Sequence, residues 1–368
     1  MKVLMLSKAC VVGTYQKKLE ELALQPEVSL MVVVPPYWRE GGRRSYLERA
    51  YVTGYELRVE RVIFNGHFHL HFYPGLGRVV RSFRPDVFHV DEEPYNLATF
   101  HAMRLGRAVG ARCLFFSWQN IYRRLPPPFN LLERYSLSHA DYAVAGSPQA
   151  GAVLRRKGYR GPLATIPQFG VDPEVFRPLE GSQRADVDVF KVAYIGRLVE
   201  EKGLTVLVRA LAGLGGDWQL ILIGDGPVKP EILGLAGRLG CLGRLAFIPA
   251  VPSTEVPRYL NRFDALVLPS LTRPNWKEQF GRVLIEAMAC QVPVVGSDSG
   301  EIPNIIGEGG LICKEGDDRD LRDKLSTLQG DVELRRRLGR LGRQRVLELY
   351  TQAKVAVATY QVYRALLS

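Results

Sequence analysis

The sequence lacks any apolar run near the roughly 20 residues that span a bilayer; its longest, around Met31–Pro36, is far shorter. It also lacks paired cysteines. Cys10, Cys113, Cys241, Cys290 and Cys313 are scattered, odd in number and include no CxxC pair. A disulfide framework and a cysteine zinc site are therefore not expected. A reducing cytosol fits best, with each thiol acting as a small buried hydrophobe. No short-period repeat or low-complexity tract is present, which excludes solenoid, collagen-like and disordered chains. Met1–Leu6 has no long apolar segment followed by a small-residue cleavage site, so it reads as a first buried strand and not as a secretory leader. Acidic residues are in deficit: 38 Asp and Glu face 49 Lys and Arg, a net charge of +11. Residues 1–180 carry +8 of that balance and residues 181–368 carry +3. A basic first half suits an anionic partner, such as nucleic acid, an acidic membrane surface or a phosphorylated substrate; the same charge can equally serve solubility.

What is present is 368 residues, enough for two domains with full cores. Short apolar runs alternate with helical patterns. Val3–Leu6, Val28–Val34, Val87–Val90, Cys113–Phe116 and Tyr142–Ala145 read as buried strands, with amphipathic stretches between most of them. A second series, Val192–Ile195, Leu220–Ile223, Leu245–Ile248, Ala265–Leu268 and Pro293–Val295, behaves likewise. Strand–helix alternation implies parallel sheets, and nearly continuous apolar strands imply sheets covered on both faces. The expected fold is thus two doubly wound, Rossmann-like α/β domains facing across a cleft, residues 1–180 and 181–350. A last helix, 351–368, is expected to pack back on the first domain. Pro173–Val189 reads as the linker. Tyr55–Tyr73 breaks the rhythm, and Asn65-Gly66 within it signals a hairpin turn.

Ligands in such folds bind at the carboxyl ends of the strands, near helix N-termini, so the loops after strands carry most of the chemistry. The most informative runs from Glu278 through Phe280, Gly281, Arg282 and Val283 to Glu286. The first-turn amides at Phe280, Gly281, Arg282 and Val283 can hold a phosphate, and Gly281 allows close backbone approach. Glu286, on the helix, can take a vicinal diol, and Glu278, before it, a second sugar. Taken singly, each glutamate can also be read as a helix-dipole residue. The second loop carries Gly196-Arg197 after a strand and Lys202-Gly203 before the next helix, two cations able to clamp a diphosphate. The third is Gly224-Asp225-Gly226-Pro227, weak by itself.

In this order and spacing the three segments resemble the C-terminal domain of the retaining GT-B glycosyltransferases of family 4. The resemblance rests on the E-x7-E string from Glu278 to Glu286, the G-R-L…E-K-G loop, the G-D-G-P turn and Gly300-Glu301-Ile302-Pro303, and covers most of residues 190–315. Arg84–Val90 and Gly170–Phe176 extend it more weakly into the first half. It implies that Arg197 and Lys202 bind the donor diphosphate, that Glu286 binds the ribose and Glu278 the transferred sugar, and that Ile248 lies beside the base, with Gly196 and Gly224 shaping the loops. Three departures are visible. Gly13 is the sole glycine in a loop that is often Gly-Gly, and so the one candidate for phosphate approach from the first domain. Gln119 stands where many members place a histidine, and an amide carries no proton near neutral pH. Gln291 replaces a glycine after the E-x7-E helix.

The implied function is transfer of a sugar from a UDP- or GDP-linked donor, UDP slightly favoured, to a hydroxyl acceptor in glycan, glycolipid or polysaccharide biosynthesis. The implied chemistry is electrostatic and needs no metal or other cofactor. Competing readings are a nucleotide-sugar epimerase of similar architecture, a nucleotide-sugar-binding pseudoenzyme, and, on charge alone, a nucleic-acid binder; the resemblance leaves nucleic acid outside the expected partners. His67, His69 and His71 alternate as on one strand face, without the carboxylate or cysteine pattern of a metal site. The aromatic and arginine-rich stretches at 37–44 and 123–129 suit an anionic membrane surface with a lipid-linked acceptor, a lid over a soluble acceptor, or plain solvated loops. The expected location is cytoplasmic, with peripheral contact at the inner membrane face. Asp91-Glu92-Glu93 is expected either to face the cleft and bind acceptor hydroxyls or to cap the helix near Asn96.

Overall fold

Runs such as Val3-Leu4-Met5-Leu6 offer apolar side chains to both faces of a strand, so a sheet built from them must be covered twice. A computed structural model describes residues 1–40, 43–179 and 189–368, backbone only at Arg43, and divides the chain into two units. The first is Met1–Gly170 with Gln352–Ser368, and the second is Val171–Thr351.

The strands of the first unit are β1 (Lys2–Leu6), β2 (Ser29–Val34), β3 (Tyr37–Glu40), β4 (Arg43–Tyr46), β5 (Glu56–Val59), β6 (Val87–Val90), β7 (Arg112–Ser117), β8 (Tyr142–Ala145) and β9 (Leu163–Thr165). Its helices are α1 (Lys17–Ala23), α2 (Leu76–Phe83), α3 (Leu97–Ala108), α4 (Phe129–His139) and α5 (Pro148–Arg156). Seven strands form one sheet in the order β5-β2-β1-β6-β7-β8-β9, and every pair is parallel.

In the second unit the strands are β10 (Phe190–Ile195), β11 (Trp218–Ile223), β12 (Leu245–Ile248), β13 (Ala265–Leu268), β14 (Val294–Ser297) and β15 (Gly310–Cys313). They make a parallel sheet ordered β12-β11-β10-β13-β14-β15. Its helices are α6 (Leu204–Ala212), α7 (Lys229–Arg238), α8 (Val256–Leu260), α9 (Arg282–Ala289), α10 (Ile302–Ile306), α11 (Asp318–Gly330) and α12 (Val332–Leu349). The final helix, α13 (Gln352–Leu367), belongs to the first unit.

Alternation decides which residue goes where. Leu4 and Leu6 of β1 enter one core with Phe88, Val90, Tyr73 and Leu76, whereas Val3 and Met5 enter the opposite core with Leu19, Val355 and Tyr363. So α13 and α1 cover one face of the first sheet. Each large apolar side chain buried this way contributes about 1.5–3 kcal/mol relative to exposure. All five cysteines are buried and stand outside any disulfide.

Strand order matters for the site, because a doubly wound sheet opens a crevice where neighbouring strands are connected in opposite directions. In the first unit that place is the carboxyl edge between β1 and β6, and in the second it is the edge between β10 and β13.

Four expectations change. Asn65-Gly66 does not turn a hairpin of its own, since only an isolated Ile63–Phe72 bridge closes that loop. Instead, the Asn65 side chain accepts from the Arg39 amide (2.9 Å) and donates to the Tyr37 carbonyl (2.8 Å), clamping a neighbouring strand. That neighbour is the real hairpin, β3 against β4, in the stretch read as a loop. Its Tyr37 and Tyr46 rings lie 5.8 Å apart across the strands, the cross-strand pairing that stabilises such ribbons. The division between units falls at Gly170 and Val171, not at 180. Residues 173–179 are tied to the second unit through Asn261, which accepts from the Leu179 amide and donates to the Arg177 carbonyl; the rest of the expected linker, 180–188, lies outside the described residues. Finally, His67, His69 and His71 do not line a strand: His71 is buried, 3.8 Å from Glu92, while His69 packs against Tyr95 and Phe129.

Candidate functional site

The edge between β10 and β13 collects most of the expected residues of the second unit. Leaving β10, the chain passes Gly196 at φ 153° and Arg197, whose side chain is exposed; the Tyr194 hydroxyl donates to the Arg197 carbonyl at 2.7 Å. A short 3-10 turn then delivers Lys202. From β11 the chain reaches Gly224, at φ 138°, whose amide donates to the Ile248 carbonyl. A Cβ at Gly224 would lie 2.0 Å from the Gly196 carbonyl oxygen. The backbone of the Gly196 loop therefore leaves no room for a side chain at Gly224. Gly224→Ala is expected to lower the thermal midpoint by several degrees, read by calorimetry, because clash and backbone strain act together.

Behind β13, Ser270 and Lys202 converge on Glu278. The Lys202 Nζ lies 2.5 Å from Glu278 Oε2, and the Ser270 Oγ donates to the same oxygen at 2.7 Å. The Trp276 ring covers the ammonium on another side, 4.9 Å from its centroid. Glu278 is 7% exposed. Helix α9 begins with Gly281 in the left-handed region, φ 75°, a conformation that strongly favours glycine. That turn directs the first helical amides, including those of Arg282 and Val283, which have no acceptor within the helix, toward the end where anions are favoured. Phe280, just before it, is buried and packs edge-on to Tyr350. One turn on, Glu286 is buried and pairs with Arg282 at 3.0 Å. Burial raises its pKa, and the Arg282 guanidinium opposes that shift. Both glutamates are thus paired with cations, Glu278 with Lys202 and Glu286 with Arg282. After the helix, Gln291 takes a left-handed conformation, φ 57°, in the place of the expected glycine.

The corresponding edge of the first unit is closed by its own ion pairs. Ser7 donates to Asp91 at 2.7 Å, Lys18 reaches the same carboxylate, and Gln168 donates to its other oxygen. Lys8 pairs with Glu92. Burial would raise Glu92, yet Lys8 and His71 overcome it and hold its pKa at about 2. Glu93 behaves oppositely: burial pushes it up to about 7 against the pull of its hydrogen bonds to Ser117 and the Trp118 amide. These carboxylates are therefore engaged within the fold rather than capping α3. The Gly13 amide donates to Glu48 at 2.7 Å. Gln119 is 9% exposed and its Oε1 accepts from Lys157 at 2.7 Å.

The sign of the Glu93 shift sets a pH dependence. A carboxyl group held above its ordinary value favours the native state while protonated, so its share of stability is lost as pH rises from about 4.5 toward 7. Glu93→Gln is expected to raise the thermal midpoint relative to the parent at pH 8 and to leave it nearly unchanged at pH 5.

Sequence reasoning missed Ser270, Trp276, Lys157 and Glu133. Ser270 alone had a signal, its place just past an apolar strand end. The others arrive from loops and helices whose proximity only the fold reveals. No group of three or more candidate metal ligands is present among the described residues, and none of their helices is long and apolar enough to cross a membrane.

Residues 177–345 match the family model for glycosyl transferases group 1, and residues 16–168 match the glycosyl transferase 4-like domain. The chain is 36% identical over 149 residues to N-acetyl-alpha-D-glucosaminyl L-malate synthase of Bacillus anthracis, covering 40% of this chain and 37% of the relative. It is 28% identical to alpha-maltose-1-phosphate synthase of Mycolicibacterium smegmatis, over 63% and 65% of the two chains. The chain thus spans less than two thirds of these relatives' lengths. Among solved structures it resembles sucrose-phosphate synthase from Thermosynechococcus elongatus, with a TM-score of 0.76, 20% identity and 100% and 99% coverage. It also resembles Anabaena HepE in complex with UDP, with a TM-score of 0.78, 18% identity and 99% and 100% coverage. These likenesses establish the GT-B fold. With the two family models accounting for most of its length, the chain belongs to the group 1 glycosyltransferases.

Proposed function

We propose that the protein transfers a sugar from a nucleoside-diphosphate donor, UDP-linked in preference to GDP-linked, to a hydroxyl acceptor with retention of anomeric configuration. The observation that carries this reading is the convergence of Lys202, Ser270 and Glu278 beside the glycine-started helix α9. A cation, a carboxylate and a helix N-terminus in one place suit a diphosphate joined to a polyol. In the proposed reaction the anomeric carbon–oxygen bond to the diphosphate breaks, and the acceptor oxygen bonds to the same carbon from the same face. The acceptor proton passes to the departing phosphate. Arg197, Lys202 and the α9 terminus offset the charge that develops on the leaving group. Glu278 orients the sugar and Glu286 the ribose. The scheme assigns no step to a metal. The UDP named with the HepE structure is in keeping with the preferred base.

The acceptor is assigned to the first unit, and glycan, glycolipid or polysaccharide synthesis in the cytoplasm is the setting that fits a lipid-linked acceptor. The β3–β4 hairpin supports peripheral membrane contact, with Arg39 and Arg44 each stacked on Tyr37 and Tyr46 exposed; the Arg43 side chain lies outside the described residues. Charge reversal at Arg39 and Arg44 is expected to reduce sedimentation with phosphatidylserine vesicles severalfold, and unchanged sedimentation would assign the hairpin to another role. The transfer itself is tested by incubating the protein with UDP-glucose, UDP-N-acetylglucosamine, UDP-galactose and GDP-mannose, each with a pool of polyol and lipid-linked acceptors. Nucleoside diphosphate released only when donor and acceptor are both present supports transfer. A rearranged nucleotide sugar without acceptor would indicate epimerisation, and binding without turnover a non-catalytic protein.

A further inference from the structure

The Lys202 ammonium is met from two sides, and the two partners are chemically unlike. Glu278 lies 2.5 Å away with a full negative charge, and the Trp276 ring lies 4.9 Å away with none. All three side chains are buried or half-buried, and all belong to the second unit. The backbone places the ring. Leaving β13, the chain runs against the turn that carries Lys202. Gly203, in the left-handed region at φ 65°, makes room for it, since a Cβ there would lie 2.0 Å from the Pro269 carbonyl oxygen. The Leu271 amide donates to the Glu201 carbonyl at 2.8 Å, and Arg273 and Trp276 exchange backbone hydrogen bonds of 2.7 and 3.1 Å. The Arg273–Glu200 ion pair adds little, because the Glu200 side chain is 75% exposed.

The difference between the two partners matters for ligand binding. An ammonium has three donors and no acceptor, on a flexible stem. A carboxylate fixes such a group but neutralises it, and so competes with any other anion for its charge. An aromatic face attracts the same cation through its quadrupole and leaves the charge in place. Trp276 can therefore keep its contact when Lys202 exchanges Glu278 for a phosphate. The contact also gains from that exchange, because a bound phosphate takes the ammonium out of water and cation–π attraction strengthens on desolvation.

We propose that Trp276 is a positioning residue that holds the Lys202 ammonium while it turns from the Glu278 carboxylate to the donor diphosphate. The inference deepens the function proposed above and rests on it. Trp276 acts through Lys202 and touches no reacting atom. It explains how one cation serves both the carboxylate and the diphosphate: the ring keeps the ammonium in place without drawing on its charge.

Fluorinated tryptophans placed at position 276 alone separate this from a structural role. Each fluorine draws electrons from the ring face and barely alters its size, so a contact made by shape alone does not respond. Calorimetric titration of UDP against the parent and its mono-, di- and trifluorinated forms should show affinity falling stepwise, to about 5-fold weaker at three fluorines. Trp276→Leu should lose about 10-fold, and Trp276→Phe, which restores a ring face, should recover part of it. In Lys202→Met the same fluorine series should leave UDP affinity flat, because the cation that senses the ring is gone. Affinity that stays flat or rises with fluorination in the parent, or a fluorine effect of equal size in Lys202→Met, would overturn the proposal. Failure of the functional reading would show differently, as a parent that binds no nucleoside diphosphate, and the role assigned to Trp276 would fall with it.

Discussion

Glu278→Gln is expected to reduce sugar transfer at least about 100-fold while leaving nucleoside-diphosphate affinity unchanged or higher. Transition-state contacts from a single well-placed polar group commonly carry 10²–10³ in rate, and a neutral amide replaces only part of what a carboxylate gives a sugar hydroxyl. The effect on affinity runs against intuition. The Lys202 Nζ lies 2.5 Å from the Glu278 carboxylate. A donor diphosphate must compete for that ammonium, and removing the carboxylate's charge removes the competitor. Steady-state kinetics together with calorimetric titration of UDP give both quantities. Near-normal turnover would refute the role assigned to Glu278, and much weaker UDP binding would refute the competition.

Lys202→Met is expected to weaken nucleoside-diphosphate binding by about 10- to 100-fold, the range for losing a hydrogen bond to a charged group. It should also destabilise the second unit, because Glu278, with a side chain only 9% exposed, keeps the Ser270 hydroxyl but loses the Lys202 ammonium. Fully buried pairs lose about 3–5 kcal/mol when one partner is removed, and the partial exposure here puts the expected value below that. The double variant Lys202→Met, Glu278→Gln separates the two effects. Stability should return, since the carboxylate that Lys202 compensates is neutralised as well, whereas affinity should not. Recovery of both would mean that Lys202 serves Glu278 and never the diphosphate.

Much of this architecture was legible in the sequence. Apolar runs such as Val87–Val90 and Ala265–Leu268 coincide with β6 and β13 to the residue, because a strand buried on both faces leaves little choice of residue. The loops of the second unit were legible for a related reason: Gly281 and Gly224 stand where the backbone requires a glycine. The hairpin at 37–46 was not, because its stability comes from a tyrosine pair and from Asn65, distant in sequence. Nor was the closure of the first unit's edge. Asp91, Glu92 and Glu93 look like ligand-binding acids until Lys18, Lys8 and Ser117 are seen beside them. A carboxylate's availability depends on which cation the fold brings to it. For the same reason Gln119 read as an isolated departure until Lys157 and Glu133 supplied its context.

The measurement that tests the central claim most directly is a thermal-shift series of the intact protein with UDP, GDP, ADP and TDP, with and without magnesium. A ligand at a hundred times its dissociation constant stabilises by about 2.7 kcal/mol, a shift of several degrees. UDP is expected to raise the midpoint most and to do so without added metal, and Lys202→Met is expected to abolish most of the shift. Folded protein that responds to none of the four diphosphates would contradict it, since Arg197, Lys202 and the Glu278–Glu286 segment would then not form a working donor site.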